Sequence, residues 1–312
     1  MSVAFVSTNE RVASHHLRSK NISDGLAVRG YKARSIVIRP TWNVRSILAS
    51  LRYDTVVCVK VFNVKYARVL KLLRRRVIFD CLDNYNFFKP RSAYQNGRKY
   101  IDSYIACNPA HRDFLVQKLQ LPAEKVCVIE HHYTNFGDIT KPWQGVHVAG
   151  YIGLPAHFRL SNETRNALQG MGISFYLGEA ATNESALRET LKLDCFLVYF
   201  DPTNPDPLLR DTCEYVLKFK SAQKILLPFS LNIPVVFLPT PSYLYILAQA
   251  GYGPDDFLTA SNEAELLSRI VWLNDYANET KILQLLERQK KVARLFTLDK
   301  MLDKYERLLL SK

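Results

Sequence analysis

The segment LKFKSAQKILLPFSLNIPVVFLP, residues 217–239, predicts a basic loop, an apolar helix, a turn and a short strand in succession. Three lysines, Lys218, Lys220 and Lys224, lie before or at the start of the predicted helix. The first amide groups of a helix have no partner within it, and the helix dipole favours negative charge there. We therefore predict a site for a phosphate or diphosphate at this helix start. The alternative is that the lysines form an ordinary solvated face.

The composition is that of a folded protein large enough for two domains. The chain has 312 residues, of which 48% are hydrophobic, so each domain can bury a core. Six cysteines form no CxxC pair and mostly lie in apolar runs, which predicts free thiols in a reducing compartment and no zinc site. The first residues lack the features of a signal peptide, and no apolar run is long enough for a membrane span. We therefore expect a cytoplasmic protein.

Basic residues are concentrated in the first half of the chain. Residues 1–148 hold 24 Lys and Arg against 10 Asp and Glu, whereas residues 149–312 hold 18 against 19. This asymmetry predicts an anionic partner for the first half, and the candidates are a membrane surface, a lipid-phosphate acceptor or nucleic acid. The absence of a helix-turn-helix, OB or RRM signature argues against nucleic acid. A charge that serves solubility alone is the alternative.

The predicted elements form two successive α/β halves. Residues 2–38 read as strand, helix and strand, which predicts a parallel sheet. Neither a GxGxxG nor a Walker A pattern is present, which argues against ordinary NAD and P-loop nucleotide sites. Residues 137–146, with Pro142, have the composition of an interdomain linker, and the strand-like HVAGYI of residues 147–152 opens the second half.

Several short motifs resemble those of GT-B glycosyltransferases. The chain from Lys220 to Val236 is similar to the pattern K-x-x-x-K-x-x-E-A-x-A-x-G-x-P-V-V, which binds the sugar nucleotide, and the second lysine falls on Lys224. The glutamate of the pattern, which contacts the ribose, falls on Leu227. Its glycine falls on Asn232, and asparagine tolerates the left-handed conformation better than most residues.

The resemblance implies a donor site in the second half. The GYIG of residues 150–153 is similar to the start of the GT-B nucleotide domain, where a glycine lets the backbone approach the diphosphate. No Asp-x-Asp metal motif follows a strand, so we expect no metal and no cofactor besides the nucleotide-sugar substrate. The implied donor-binding residues are Gly153, Arg159, Asp201, Lys220, Ser221 and Lys224.

Candidate acceptor-side residues lie in the first half. The SHHLR of residues 14–18 resembles an S-x-x-x-R helix start, which implies that Arg18 points towards the acceptor. Asp80 and Asp83 end a predicted strand in an F-D-x-x-D arrangement, and the carboxyl ends of parallel strands bind ligands. Asp80 is then an acceptor anchor, and Asp83 is the general base if the reaction inverts the sugar configuration. The alternatives are that Arg18 is an exposed helix residue, that Asp80 makes a hydrogen bond within a loop, and that Asp83 is a helix N-cap.

Two histidines follow the last predicted strand of the first half. We assign a catalytic role to His132 and an acceptor-side role to His131. Adjacent residues at a strand end point in opposite directions, so at most one of them would face a ligand. Structural roles for both histidines are the alternative.

The resemblance implies two Rossmann-like domains that face a central cleft. The first covers residues 1–141, with a C-terminal helix near residues 297–312 crossing back to it, and the second covers residues 147–296. The implied function is metal-independent transfer of a sugar from a nucleoside-diphosphate sugar to a glycan or lipid-linked acceptor, in polysaccharide biosynthesis. The basic first domain would contact an anionic membrane peripherally. The alternatives are a catalytically silent GT-B-like binding or assembly protein, which Leu227 favours, and a sugar-nucleotide epimerase.

Overall fold

The protein, described by a computed structural model, divides into two compact α/β units. The first contains Met1–His132 and Leu298–Lys312, and the second contains Tyr133–Glu214 and Ala222–Thr297. The structure describes residues 1–10, 14–38, 44–60, 62–82, 96–133, 136, 139–153, 158, 160–180, 182–199 and 221–311.

The first unit is built on a six-stranded parallel sheet. Its strands are β1 (Ser2–Ser7), β2 (Lys32–Val37), β3 (Thr55–Val59), β4 (Arg76–Asp80), β5 (Ser103–Ala106) and β6 (Val126–Val128), in the order β2-β1-β3-β4-β5-β6. Its longer helices are a π-helix (His15–Lys20), α1 (Asn21–Val28), α2 (Val44–Ser50), α3 (Val64–Leu72), α4 (Pro109–Lys118) and α11 (Leu298–Leu310). Its described residues also form the 3-10 turns Arg98–Tyr100 and Ala123–Lys125.

Helices cover both faces of this sheet. All residues of β1 and β3 are buried, as expected for parallel strands covered on both sides. One face packs against α2, α3 and α4. Tyr66 and Leu70 of α3 and Leu115 of α4 belong to a single core cluster, and Ile47 of α2 packs against it. On the other face, the Phe5 ring meets the Tyr305 ring of α11 edge-on at 5.6 Å.

The C-terminal helix belongs to the first unit. Arg29, which follows α1, forms ion pairs of 2.7 Å with Asp303 and 2.8 Å with Glu306 on α11. The two helices approach closely because residue 25 is glycine, and a Cβ there would lie 2.6 Å from Cδ1 of Leu302. The predicted return of the last helix to the first unit is therefore confirmed.

The second unit is built on a five-stranded parallel sheet. Its strands are β7 (Val148–Ile152), β8 (Ser174–Gly178), β9 (Cys195–Val198), β10 (Val235–Phe237) and β11 (Leu258–Thr259), in the order β11-β10-β9-β7-β8. Its helices are α5 (Asn162–Gly170), α6 (Asn183–Leu191), α7 (Gln223–Ser230), α8 (Pro241–Gln249), α9 (Glu263–Leu273) and α10 (Glu279–Ala293). The 3-10 turns are Pro254–Asp256, Tyr276–Asn278 and Arg294–Phe296.

The later part of segment 217–239 folds as its sequence predicts. It forms α7, a turn and β10 in succession, with Val235 and Val236 fully buried. Asn232 in the turn has a φ of 65°, the left-handed conformation that the family glycine would adopt. Its side-chain amide donates to the carbonyl oxygen of Lys141 at 3.0 Å, which fixes the turn against the segment that precedes β7.

The cysteines that the structure describes are free thiols. Cys127 is half-buried, and the other described cysteines, Cys58, Cys81, Cys107 and Cys195, are buried. Burial raises the pKa of Cys58 and that of Cys127 to about 12, so both stay protonated and inert as nucleophiles. These residues are part of the packing.

Candidate functional site

The carboxyl end of β7 is the switch point of the second sheet. β8 pairs with β7 on one side and β9 pairs with it on the other, so successive crossovers leave β7 in opposite directions. Open parallel sheets bind ligands outside the carboxyl ends of strands at such a point. The strand ends at Ile152, and Gly153 follows it directly.

Lys224 reaches this strand end from the first turn of α7. Its Nζ donates to the carbonyl oxygen of Ile152 at 2.6 Å and lies 5.0 Å from the centroid of the Tyr151 ring. Gly153 has a φ of +153°, and a Cβ at this position would lie 2.6 Å from Nζ of Lys224 and 2.6 Å from the hydroxyl of Tyr151. Glycine is therefore required for the ammonium group to sit here.

The positive charge of Lys224 is not neutralised within the described part of the chain. Its one hydrogen bond there is to a neutral carbonyl, and burial alone, with no acidic group contributing, lowers the pKa of Lys224 to about 8. A nearby anion would favour the charged form and raise this pKa. The half-buried ammonium is thus suited to an anionic ligand, since the described residues place no carboxylate on it.

Two further hydrogen-bond donors lie close to Lys224 or Gly153. α7 begins at Gln223 with no side-chain cap among the described residues, so its first amides are available to an anion. The hydroxyl of Tyr151 is buried and has no hydrogen-bond partner in the described residues. Burial raises the pKa of Tyr151, so the hydroxyl stays a neutral donor. In the sequence, the GYIG motif points to its glycines, and no pattern marks Tyr151 as part of the site.

In the first unit, Arg18 and Asp80 form a fully buried ion pair. Nε of Arg18 lies 3.0 Å from Oδ2 of Asp80, and Nη2 donates to Oδ1 at 3.3 Å. The Nε contact lacks hydrogen-bond geometry. The guanidinium also donates to the carbonyl oxygens of Ile129 at 2.8 Å and Glu130 at 2.7 Å, and the Tyr305 hydroxyl donates to Oδ2 of Asp80 at 3.0 Å. This network ties the π-helix to β4, to the residues that follow β6 and to α11.

The two histidines that follow β6 are both buried. Nε2 of His132 lies 2.8 Å from the carbonyl oxygen of Leu17 in the π-helix, so Nε2 carries the proton. Nδ1 of His131 has no hydrogen-bond partner within the described residues. Burial, together with Arg18 and His132, holds the pKa of His131 well below its usual range, so the imidazole is neutral.

Comparison with known proteins identifies the fold. No family model and no curated protein matches the sequence. Among solved structures, Anabaena HepE in complex with UDP-glucose has a TM-score of 0.64 at 10% identity, over 99% of each chain. A glycosyltransferase from Rickettsia africae gives 0.63 at 10% identity, over 100% of this chain and 99% of the other. Sucrose-phosphate synthase from Thermosynechococcus elongatus gives 0.59 at 11% identity, over 99% and 98%.

The chain has the GT-B fold. The predicted fold class, α/β with two Rossmann-like domains, is confirmed by these likenesses and by the two parallel sheets. Because only about one residue in ten is identical, the likeness shows the fold and does not extend to the chemistry of the site.

The GT-B structure brings together some of the predicted donor residues. Gly153 and Lys224 are in contact, as the motifs imply. Ser221 is half-buried and lies two residues before α7. Leu227, one turn after Lys224, is also half-buried. The other predicted donor residues, Arg159, Asp201 and Lys220, lie outside the described residues, and their roles stay predictions.

The predicted acceptor-side residues are placed differently from expectation. Arg18 and Asp80 are at 0% exposure and hold each other, so neither side chain presents a surface to an acceptor. Their partner Tyr305 lies 225 residues from Asp80 along the chain, a contact that local motifs do not reveal. His132 is also at 0% exposure and its Nε2 donates to Leu17, so it presents no surface to a substrate, contrary to its predicted catalytic role. The acceptor-side role of His131 stays a prediction. Asp83 lies outside the described residues.

Proposed function

We propose that this GT-B protein transfers a sugar from a nucleoside-diphosphate sugar to a glycan or lipid-linked acceptor. The observation that carries the proposal is the ammonium of Lys224 on the carbonyl of Ile152, beside Gly153 at the switch point of the second sheet. It is a preformed cation without an acidic partner among the described residues. A diphosphate is the anion that a sugar-nucleotide donor would bring to it.

The same geometry suits stabilisation of a leaving group. When the bond between the sugar and the diphosphate breaks, negative charge grows on the diphosphate oxygens, and fixed positive groups aimed at them stabilise the transition state. Lys224, the first amides of α7 and the Tyr151 hydroxyl can act there as donors. We propose that these groups replace a metal ion, so that transfer proceeds without one.

The solved structures support the class of donor. HepE, which shares the fold over 99% of the chain, was crystallised with UDP and with UDP-glucose. We propose that this chain also takes a sugar nucleotide as its donor, because the predicted anion site lies at the carboxyl end of β7. The acceptor would be held by the first unit, where Asp83 is the proposed general base and His131 lies on the acceptor side. Arg18 and Asp80 would position these elements from inside the unit.

Donor turnover tests the proposal. Wild type and Lys224→Met are incubated with UDP-, GDP-, ADP- and dTDP-sugars in EDTA, and the released nucleoside diphosphate is measured. Lys281→Met, at an exposed lysine of α10, is the matched control. The proposal predicts turnover of one donor class, retained in Lys281→Met and reduced at least tenfold in Lys224→Met. Equal turnover by all three proteins would contradict it.

A catalytically silent binding protein is the second candidate. Leu227 favours it, because the structure places an apolar, half-buried side chain one helical turn after Lys224, where the family glutamate would contact the ribose. Donor binding without release of the diphosphate, with any acceptor supplied, would support this second function instead.

A further inference from the structure

Two helices of the first unit expose aliphatic side chains to solvent. On α2, Val44 is 66% and Leu48 is 55% exposed. At α3 and the residue after it, Val69 is 40%, Leu72 is 74% and Leu73 is 47% exposed. Val and Leu are among the residues that proteins most often bury, so five of them exposed on two helices of one sheet face form a candidate contact surface.

The same faces carry positive charge. The segments VRSILASLR (44–52) and VKYARVLKLLRRR (64–76) contain basic residues and no acidic ones. Lys65 and Arg68 lie two turns and one turn before Leu72 on the outer face of α3, while Tyr66, Ala67 and Leu70 form the buried face. The exposed cations are Arg45, Arg52, Lys65, Arg68 and Arg74.

Most of the negative charge nearby is already paired. Asp102 binds Lys71 at 2.7 Å, and Asp54 lies 3.4 Å from Arg75. By contrast, Lys65, Arg68 and Arg74 form no ion pair with any residue that the structure describes. They are therefore available to a negatively charged surface outside the unit.

α2 and α3 lie side by side on one face of the first sheet. The Ser50 hydroxyl at the end of α2 is 2.5 Å from the hydroxyl of Tyr66 on α3, and both residues are buried. Ile47 of α2 and Leu70 of α3 pack into the same core cluster. With these inner sides anchored to one sheet face, the opposite sides of both helices face solvent together. We call this the α2–α3 surface.

We propose that the α2–α3 surface docks the protein on an anionic lipid bilayer. The five aliphatic side chains would enter the boundary between headgroups and acyl chains, and the cations around them would contact lipid phosphates and carboxylates. This combination of apolar and basic residues is how interfacial helices bind membranes. The proposal stands apart from the proposed sugar transfer, because it uses none of the residues of the donor site.

The side-chain types favour a bilayer over the other anionic partners. Single-stranded nucleic acid is bound on exposed aromatic rings, and the exposed large apolar residues of the α2–α3 surface are aliphatic. A second copy of this chain would bring the same positive charge to the contact, and the like charges would repel. In the described residues no helix is long and apolar enough to cross a membrane, so the contact proposed is with one leaflet.

Vesicle binding tests the proposal with matched variants. The full-length protein is mixed with vesicles of phosphatidylcholine alone or with 30 mol% of an anionic phospholipid (about a third, as in a strongly charged leaflet), and the bound fraction is measured by co-sedimentation. The charge variant combines Lys65→Gln, Arg68→Gln and Arg74→Gln, and the apolar variant combines Leu48→Ser and Leu72→Ser. The control variant removes as much charge elsewhere, through Arg34→Gln, Lys281→Gln and Lys291→Gln.

The expected results follow from the contribution of each group. A basic residue near an anionic leaflet strengthens binding by about fivefold, so the charge variant binds the anionic vesicles about 100-fold more weakly than wild type. Loss of an inserted leucine weakens binding about tenfold, so the apolar variant also loses about 100-fold. The control variant binds as wild type, and vesicles of phosphatidylcholine alone bind poorly to all four proteins.

Several outcomes would overturn the proposal. These are equal binding to both kinds of vesicle, a control variant as weak as the charge variant, or tighter binding to a single-stranded oligonucleotide than to the anionic vesicles. Self-association that the apolar variant abolishes in sedimentation velocity would assign the surface to a second copy instead. Nucleoside-diphosphate binding by the same variants is measured in parallel, so that failure of membrane docking is distinguished from failure of the donor site.

Discussion

Replacing Gly153 by alanine should damage the donor site more than the fold. The new Cβ would lie 2.6 Å from Nζ of Lys224 and 2.6 Å from the hydroxyl of Tyr151, closer than non-bonded atoms can approach. The φ of +153° is also one that alanine adopts with strain of about 1–3 kcal/mol. The ammonium must move away from Ile152, which costs a hydrogen bond to a charged donor, about 1.5–3 kcal/mol.

These magnitudes give a measurable difference between binding and stability. Displacement of the ammonium should weaken the binding of a nucleoside diphosphate by about 10- to 100-fold, because the ligand loses a comparable charged hydrogen bond. The backbone strain should lower the Tm of the second unit by about 3–10 °C. Isothermal titration calorimetry with UDP, GDP, ADP and dTDP measures the first effect, and differential scanning calorimetry measures the second.

Gly170→Ala provides the matched control. This glycine ends α5, a Cβ there would meet no atom within 4 Å, and its backbone is not left-handed. Both the binding and the Tm of this variant should match wild type or improve slightly. If a folded Gly153→Ala protein bound the nucleoside diphosphates as wild type does, the reasoning that places a diphosphate beside Lys224 would be refuted.

Three further predictions concern charge. Burial lowers the pKa of Lys224 to about 8, and a bound anion would raise it. Nucleoside-diphosphate affinity should therefore fall as the pH rises above 8. Calorimetry between pH 7 and 9.5 should show this fall in wild type and not in Lys224→Met. Arg18→Met leaves the buried Asp80 without its partner and should lower the free energy of unfolding, measured in urea, by about 3–5 kcal/mol. The double variant Arg18→Met with Asp80→Leu should lose less stability. Equal losses in the two variants would contradict the ion-pair account. Donor turnover should be the same in EDTA and in Mg²⁺, and a loss in EDTA would show that a metal takes part.

The contact between Gly153 and Lys224 was predictable because it depends on local patterns. A basic residue at a helix start and a glycine at a strand end are both visible in the sequence, and the Rossmann order brings such ends together. The contact of Gly153 with Lys224 needed no long-range information beyond that order. The left-handed Asn232 was predictable for the same reason, since the preference is a property of the single residue.

The roles of Arg18 and Asp80 were not predictable from local sequence. Their burial depends on Tyr305 in α11, which packs on a face of the first sheet that only the tertiary fold defines. The local sequence around a charged residue at the end of a strand is the same whether its side chain faces a ligand or the interior. The α2–α3 surface was missed for a related reason, because the sequence shows the charge of α3 but not which leucines stay exposed.

The most direct test of the central claim is donor binding by wild type and Lys224→Met. A panel of UDP-, GDP-, ADP- and dTDP-sugars is titrated by calorimetry, with Lys281→Met as the control at an exposed lysine. The account predicts that wild type and Lys281→Met bind one donor class, and that Lys224→Met binds it at least tenfold more weakly while keeping the same Tm. Failure of the folded wild type to bind any donor, or equal binding by Lys224→Met, would contradict it.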